Sequence, residues 1–427
     1  MNLEVRQKAH EQGLSLMEYI LKINGNLAHQ TGTKRTILAA CPNSKAVIKA
    51  ALRSAKRANA PIKFATTLNQ VDRDGGYTGL TPHQFVKIVR QEARSINLQS
   101  PIIIAIDHGG PWLKDKHRKE ELSLEKAMEE VKLSFETAID AGYDLIHVDP
   151  TIDINLKQGE IIKIADVAER TVELIKHCED YRKSRGLRKI AYEVGTEEVH
   201  GGLVDLDVFN QFFELLKIGL AQAGISDTWP CFVVGKVGTD LHTTEFDPNV
   251  AATIVEIAKT HGSVIKGHYS DNVTNPQDYP ISGMGGANVG PEYTEREYES
   301  LIELVEIEEE LFAENKIAKV SNLKKLLWQA VINSNRWQKW LSDTENANDF
   351  YANSPIRQEW LIKTGCRYIW EKPEVEVARN LLYANLAHND IMAEEIVLSK
   401  IEKAMDKYYY NFNLIDLNEN LLAEQPA

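Results

Sequence analysis

The sequence predicts a (β/α)8 TIM barrel with a C-terminal helical extension. Three features point to it: eight short β-rich runs, amphipathic helix-length stretches between them, and a length of 427 residues. A barrel of this kind takes roughly 250 residues, so one barrel plus an addition fits the length. The runs occupy 36–41, 61–68, 102–107, 144–149, 190–195, 232–237, 263–267 and 285–290. Their near-continuous apolar character is that of strands buried on both faces, as in a parallel sheet covered by helices. The stretch 123–141 shows how the intervening helices are bounded. It opens at Ser123, a natural N-cap, and stops before Gly142, a natural C-terminal residue. No GxGxxG follows the first run, where CPNSKA stands instead, so a dinucleotide fold has little support.

Three parts follow from this rhythm: an N-terminal helical segment (1–35), the barrel (36–310) and a helical extension (311–427) rich in Trp and Tyr. The extension is expected to pack on the barrel or on a neighbouring subunit, which makes the chain a candidate oligomer. The formal charge of −13, from 49 Lys and Arg against 62 Asp and Glu, argues against a nucleic-acid partner. No stretch approaches the ~20 apolar residues of a membrane span. Cys41, Cys178, Cys231 and Cys366 lie far apart without CxxC spacing. That pattern fits a reduced, cytoplasmic protein without disulfides or a thiolate zinc site.

Chemistry is expected where the strands end, because barrel active sites form at the C-terminal rim. His108, His242 and His268 each stand where an apolar run gives way to Gly and polar residues. Three imidazoles on one rim suit a divalent metal with an open position, and Glu193 in the fifth strand is a candidate fourth ligand. Zinc is the first expectation; manganese, nickel and cobalt suit the same donors. Asp107 immediately precedes His108. The turn at Gly109-Gly110-Pro111 would let both side chains reach the cavity, with Asp107 as a proton shuttle or as the partner that orients His108. Glu197 and Glu198 follow the fifth strand, as a general base or as a solvated acidic loop. His147 reads as a core residue, whereas Asp149 is nearer the rim and suited to a polyol. Gln70, Gly76, Tyr77 and Thr78 lie in an unusually polar loop after the second strand. Lys266, Ser270, Asp271 and Asn272 lie at the end of the seventh, where barrels often bind phosphate.

Taken together, NQVDRDGGYTGLTP, IDHGGP, IHVDPT, VGTEE, GHYSDN and NVGPEYT resemble the Z subunit family of class II D-tagatose-1,6-bisphosphate aldolase. That family is similar in turn to the zinc-dependent class II ketose-bisphosphate aldolases and to ketohexose C4 epimerases. The resemblance implies metal ligation by His108, His242 and His268, catalysis by Asp107, and roles for Glu193 and the pair Glu197-Glu198. The chain departs from the aldolases where their HGGSG becomes GHYSDN and their NxDTD-like motif becomes NVGPEYT. These departures bear on bisphosphate specificity and on phosphate binding itself. Two functions follow as expectations. One is a metal-dependent aldolase or C4 epimerase acting on a ketohexose or its phosphate; the other is a non-catalytic subunit stabilising a separate aldolase chain.

Overall fold

The computed structural model describes residues 3–157, 160–195, 205–239, 245–342 and 344–423. Eight parallel strands close in sequence order, with the last paired to the first. They are β1 (Ile37–Ala40), β2 (Ile62–Thr67), β3 (Ile102–Gly109), β4 (Leu145–Val148), β5 (Ala191–Gly195), β6 (Phe232–Val234), β7 (Val264–Gly267) and β8 (Gly286–Val289). The chain is a (β/α)8 TIM barrel with C-terminal helices.

Each expected strand is present, and two differ in extent by more than one residue at an end. β6 stops at Val234, so Gly235-Lys236-Val237 leave the ladder. β3 continues beyond Asp107 to Gly109, with a register irregularity against β4 between Ile106 and Gly109. His108 takes a left-handed backbone there, with φ +48°. The turn expected after Asp107 is therefore a bulge inside the strand. A bulge re-aims side chains, and both Asp107 and His108 line the cavity above the barrel.

Local chemistry sets the helix boundaries. Ser44 accepts the Val47 N–H to start Lys45–Ala58, which ends on left-handed Asn59. Ser123 accepts from Lys126, and Gly142, at φ +90°, closes Leu124–Ala141. The first helix, Leu3–Glu11, lies under the barrel: the Arg6 guanidinium bonds Asp144, just before β4, and the Ile102 carbonyl at the start of β3.

The extension shares the barrel's core. Its helix Ala393–Asn411 packs between Lys45–Ala58 and Pro291–Ala313. Arg53 and Arg57 reach Glu395, Glu402 and Asp406 across that junction. The buried Tyr408 hydroxyl lies 2.7 Å from the Ser270 carbonyl and also contacts Glu292. All four cysteines are free. No helix among the described residues is long and apolar enough to cross a membrane.

Candidate active site

β3, β4, β5 and β7 deliver Asp107, His147, Glu193 and His268 to one point inside the rim. One ligand-type atom from each lies within 4.8 Å of all the others, and all four residues are buried. The pairing His147↔Glu193 puts β4 and β5 side by side there. His108 stands beside the group, its ring centroid 4.5 Å from that of His268 and 5.1 Å from that of His147.

Charge within the cluster is closely matched. The Lys266 ammonium sits between Glu193 and Asp107 Oδ1, 3.3 Å from the latter. Lys63 lies 3.0 Å from Glu193 Oε2, and Asn288 Nδ2 donates to Asp107 Oδ2 at 3.0 Å. Burial alone would raise the Asp107 carboxyl, yet Lys266, His268 and His108 hold it well below the usual range. Glu193 is held low in the same way, burial being outweighed by Lys266 and Lys63. Both carboxylates are therefore ionised near neutral pH.

The two adjacent imidazoles behave oppositely. Burial lowers His147 and keeps it neutral, and its Nδ1 accepts the His108 backbone N–H at 3.1 Å. His108 Nδ1 lies 2.6 Å from Asp149 Oδ2. Burial opposes protonation of His108, but Asp107 and Asp149 prevail and raise it to about 9. A carboxylate on Nδ1 fixes the ring and leaves Nε2 for another partner, the arrangement common around metal-ligating histidines.

The donor set fits a divalent cation. His147 Nδ1, Asp107 Oδ1 and Glu193 Oε1 are acceptors in contact, with Nδ1 3.4 Å and 3.3 Å from the two carboxylates. The Lys266 ammonium meets the two carboxylates in this arrangement, and imidazole with carboxylate also suits zinc, manganese, nickel or cobalt. The His147 lone pair is shared with the His108 N–H, so its ligation requires that bond to give way. His242, Glu197 and Glu198 lie outside the described residues.

Above the cluster lies a cavity of about 260 Å³, lined by Asp107, His108 and His268 below. Gln70, Tyr77 and Asp271 line it as well, the last pushed up to about 7, chiefly by burial. Asn43 ties the β2 loop together, accepting from Gln70 Nε2 at 2.6 Å and from the Tyr77 hydroxyl at 3.2 Å. Gly76 is needed there: at φ +51°, a Cβ would fall 2.5 Å from the Gln70 carbonyl. Thr78 bonds that same carbonyl at 2.6 Å and so supports the loop.

This sequence matches the D-tagatose-1,6-bisphosphate aldolase subunit GatZ/KbaZ-like family over residues 24–414. The chain belongs to that family. Its fold is similar to that of a probable tagatose 6 phosphate kinase from Sinorhizobium meliloti, at TM-score 0.73 and 22% identity over 88% of this chain and 100% of the other. Fructose-bisphosphate aldolase from Campylobacter jejuni is more distant, at TM-score 0.54 and 12% identity over 93% and 95% of the two chains.

Several residues of this GatZ/KbaZ-like chain do something other than their sequence position suggested. The Asp149 carboxylate is taken by His108 and by the Thr151 hydroxyl at 2.5 Å, so it orients an imidazole and is not open to a polyol. Lys266 lies inside the cluster, its ammonium committed to two carboxylates and withdrawn from the rim where a phosphate would sit. Ser270 and Asn272 do not line the cavity. Ser270 presents its carbonyl to Tyr408, and Asn272 bonds Glu292, Glu295 and Arg296. His147, read as a core residue, belongs to the cluster. The polar residues missed include Lys63, Asn43, Asn69, Asn288, Arg336, Lys339 and Arg367, the last three from the extension. Lys63 and Asn288 had a signal, each a polar residue in a largely apolar strand.

Proposed function

We propose that this chain is a divalent-metal-dependent enzyme acting on a ketohexose or ketohexose phosphate of the tagatose or fructose type by retro-aldol and aldol chemistry. The convergence of Asp107, His147, Glu193 and His268 under a cavity on a barrel rim carries the reading. Glu193 and His268 would hold the metal, with His108 and His242 completing the set and His147 a further donor. The metal would supply a Lewis acid for the negative charge that develops at the ketose O2.

The chain's own groups account for the rest. Asp107, ionised and steadied by Asn288 and Lys266, accepts the C4 hydroxyl proton. The C3–C4 bond then breaks, its electron pair passing to C3 and into the C2–C3 enediolate, while C4 leaves as an aldehyde. Re-addition to the other face of that aldehyde, with the proton returned from Asp107, gives the C4 epimer; departure of the aldehyde gives aldolase activity. Gln70 and Tyr77, which line the cavity, would meet sugar hydroxyls, and Glu197 or Glu198 would exchange protons as a second base.

A second reading is favoured by the family's description as a subunit: a non-catalytic chain that stabilises a separate catalytic aldolase. Metal analysis of the purified chain, followed by assays on D-tagatose and D-fructose with and without their phosphates, separates the two. The enzyme reading expects bound metal, and turnover by the lone chain that disappears in His268→Ala and Glu193→Gln along with the metal. Absence of turnover until an aldolase chain is added, with both variants still supporting that partner, would establish the subunit reading instead.

A further inference from the structure

The GHYSDN segment after β7 supplies no free cation to the rim, since Lys266 is consumed below it. The positive charge facing the cavity comes from elsewhere. Arg336, Lys339 and Arg367, from the extension, line it together with Asp107, His108 and His268. Both guanidinium groups lie over the Tyr368 ring, 4.7 Å (Arg336) and 5.7 Å (Arg367) from its centroid, so one aromatic platform gathers them. Arg367 also covers Trp340 at 4.5 Å.

These cations are only partly neutralised. Asp115 serves both Arg336, at 2.9 Å, and Lys339, at 2.5 Å. Arg367 makes no ion pair among the described residues; its Nε donates to the Thr364 carbonyl at 3.1 Å, and its Nη2 is buried with no hydrogen-bond partner. Trp340 Nε1, on the same wall, is likewise buried without one. The Lys339 ammonium is lowered chiefly by desolvation, which Asp115 opposes and Arg336 and Arg118 reinforce. Asp271, the lining carboxyl outside the metal cluster, is tied to the backbone N–H groups of Gly290 and Glu292. Unpaired buried donors are costly, and an oxyanion satisfies planar guanidinium groups well.

We propose that Arg336, Lys339 and Arg367 form a phosphate subsite built by the C-terminal extension, which receives the phosphate of a sugar phosphate whose carbonyl end faces the Asp107–His268 cluster. The subsite replaces the phosphate-binding role that the β7 loop lacks. It rests on the proposed function for the sugar, but phosphate binding is measured without it.

The test is calorimetric titration of inorganic phosphate into chelator-treated full-length protein, with metal binding measured separately. Wild type should bind phosphate. Arg367→Gln and Arg336→Gln should each weaken it by roughly tenfold or more, the loss of a charge-assisted contact, while metal affinity is unchanged. Arg367→Lys should recover part of the loss. Lys339→Gln, at a side chain 44% exposed, should weaken binding without unfolding and carries the test if an arginine variant misfolds. A flat wild-type titration, or variants that bind phosphate like wild type, would overturn the subsite. Phosphate binding without metal binding would instead count against the metal centre alone.

Discussion

Asp107 shows how much depends on single atoms here. Its Oδ2 is held by Asn288, and its Oδ1 faces Lys266 and His268. Asp107→Asn keeps the shape and most of these contacts but removes the proton acceptor. It should leave metal content unchanged and lower turnover by at least about 100-fold, the usual scale for a proton-transfer group. An unaltered rate would remove Asp107 from the chemistry. The histidines and carboxylates were legible in the sequence as strand-end residues, and so was the meeting of Asp107, Glu193 and His268, but the place of His147 among them was not. His147 sits within an apolar run, and only its register opposite Glu193 brings it to the cluster. Asp149 read as a rim residue because nothing in a linear sequence shows a partner on the neighbouring strand.

At the level of elements, the strands were legible because each is a buried apolar run, and the ends blurred where backbone geometry decides. The β3 bulge is one such place. Gly110 follows it, and a Cβ there would overlap the Asp149 carbonyl. Gly110→Ala should therefore force the ends of β3 and β4 apart, lowering stability in urea unfolding by roughly 3 kcal/mol or more. Preserved stability would show that the two loops have slack.

The helix Pro291–Ala313 carries a second test. Glu297, buried, accepts from Ser44 Oγ at 2.6 Å and lies 3.8 Å from Arg379. Burial outweighs Arg379 and pushes its carboxyl up from 4.5 to about 7. A carboxyl raised in the folded state binds a proton more readily there than in the unfolded chain. Its penalty is absent below about 4.5, grows as pH rises and is complete above about 7. Glu297→Gln retains the acceptor for Ser44 and should raise stability on the order of 3 kcal/mol at pH 8, with little gain at pH 4. Equal effects at both values would show that Glu297 is not the titrating group.

On the scale of the whole molecule, barrel and extension share one core, joined by the helix Ala393–Asn411 and the Tyr408 hydroxyl. Calorimetry should give a single unfolding transition with calorimetric and van't Hoff enthalpies in agreement; two separated transitions would show that the extension is an independent unit. The sequence revealed that a helical addition exists and left its position open between barrel and neighbouring subunit. Arg336 and Arg367 lie well beyond the last strand in the chain, and no periodicity marks a residue that meets a distant rim.

Chain order gives the architecture a temporal side. Synthesis runs from the N-terminus, and upstream portions generally fold first. Every strand of the cylinder precedes Arg336, Lys339, Trp340, Arg367 and Tyr368, so the ribosome releases the floor of the pocket before its roof. A nascent chain halted after β8 lacks Arg336, Lys339 and Arg367, so recognition of the ligand's far end would begin only once the final helices dock.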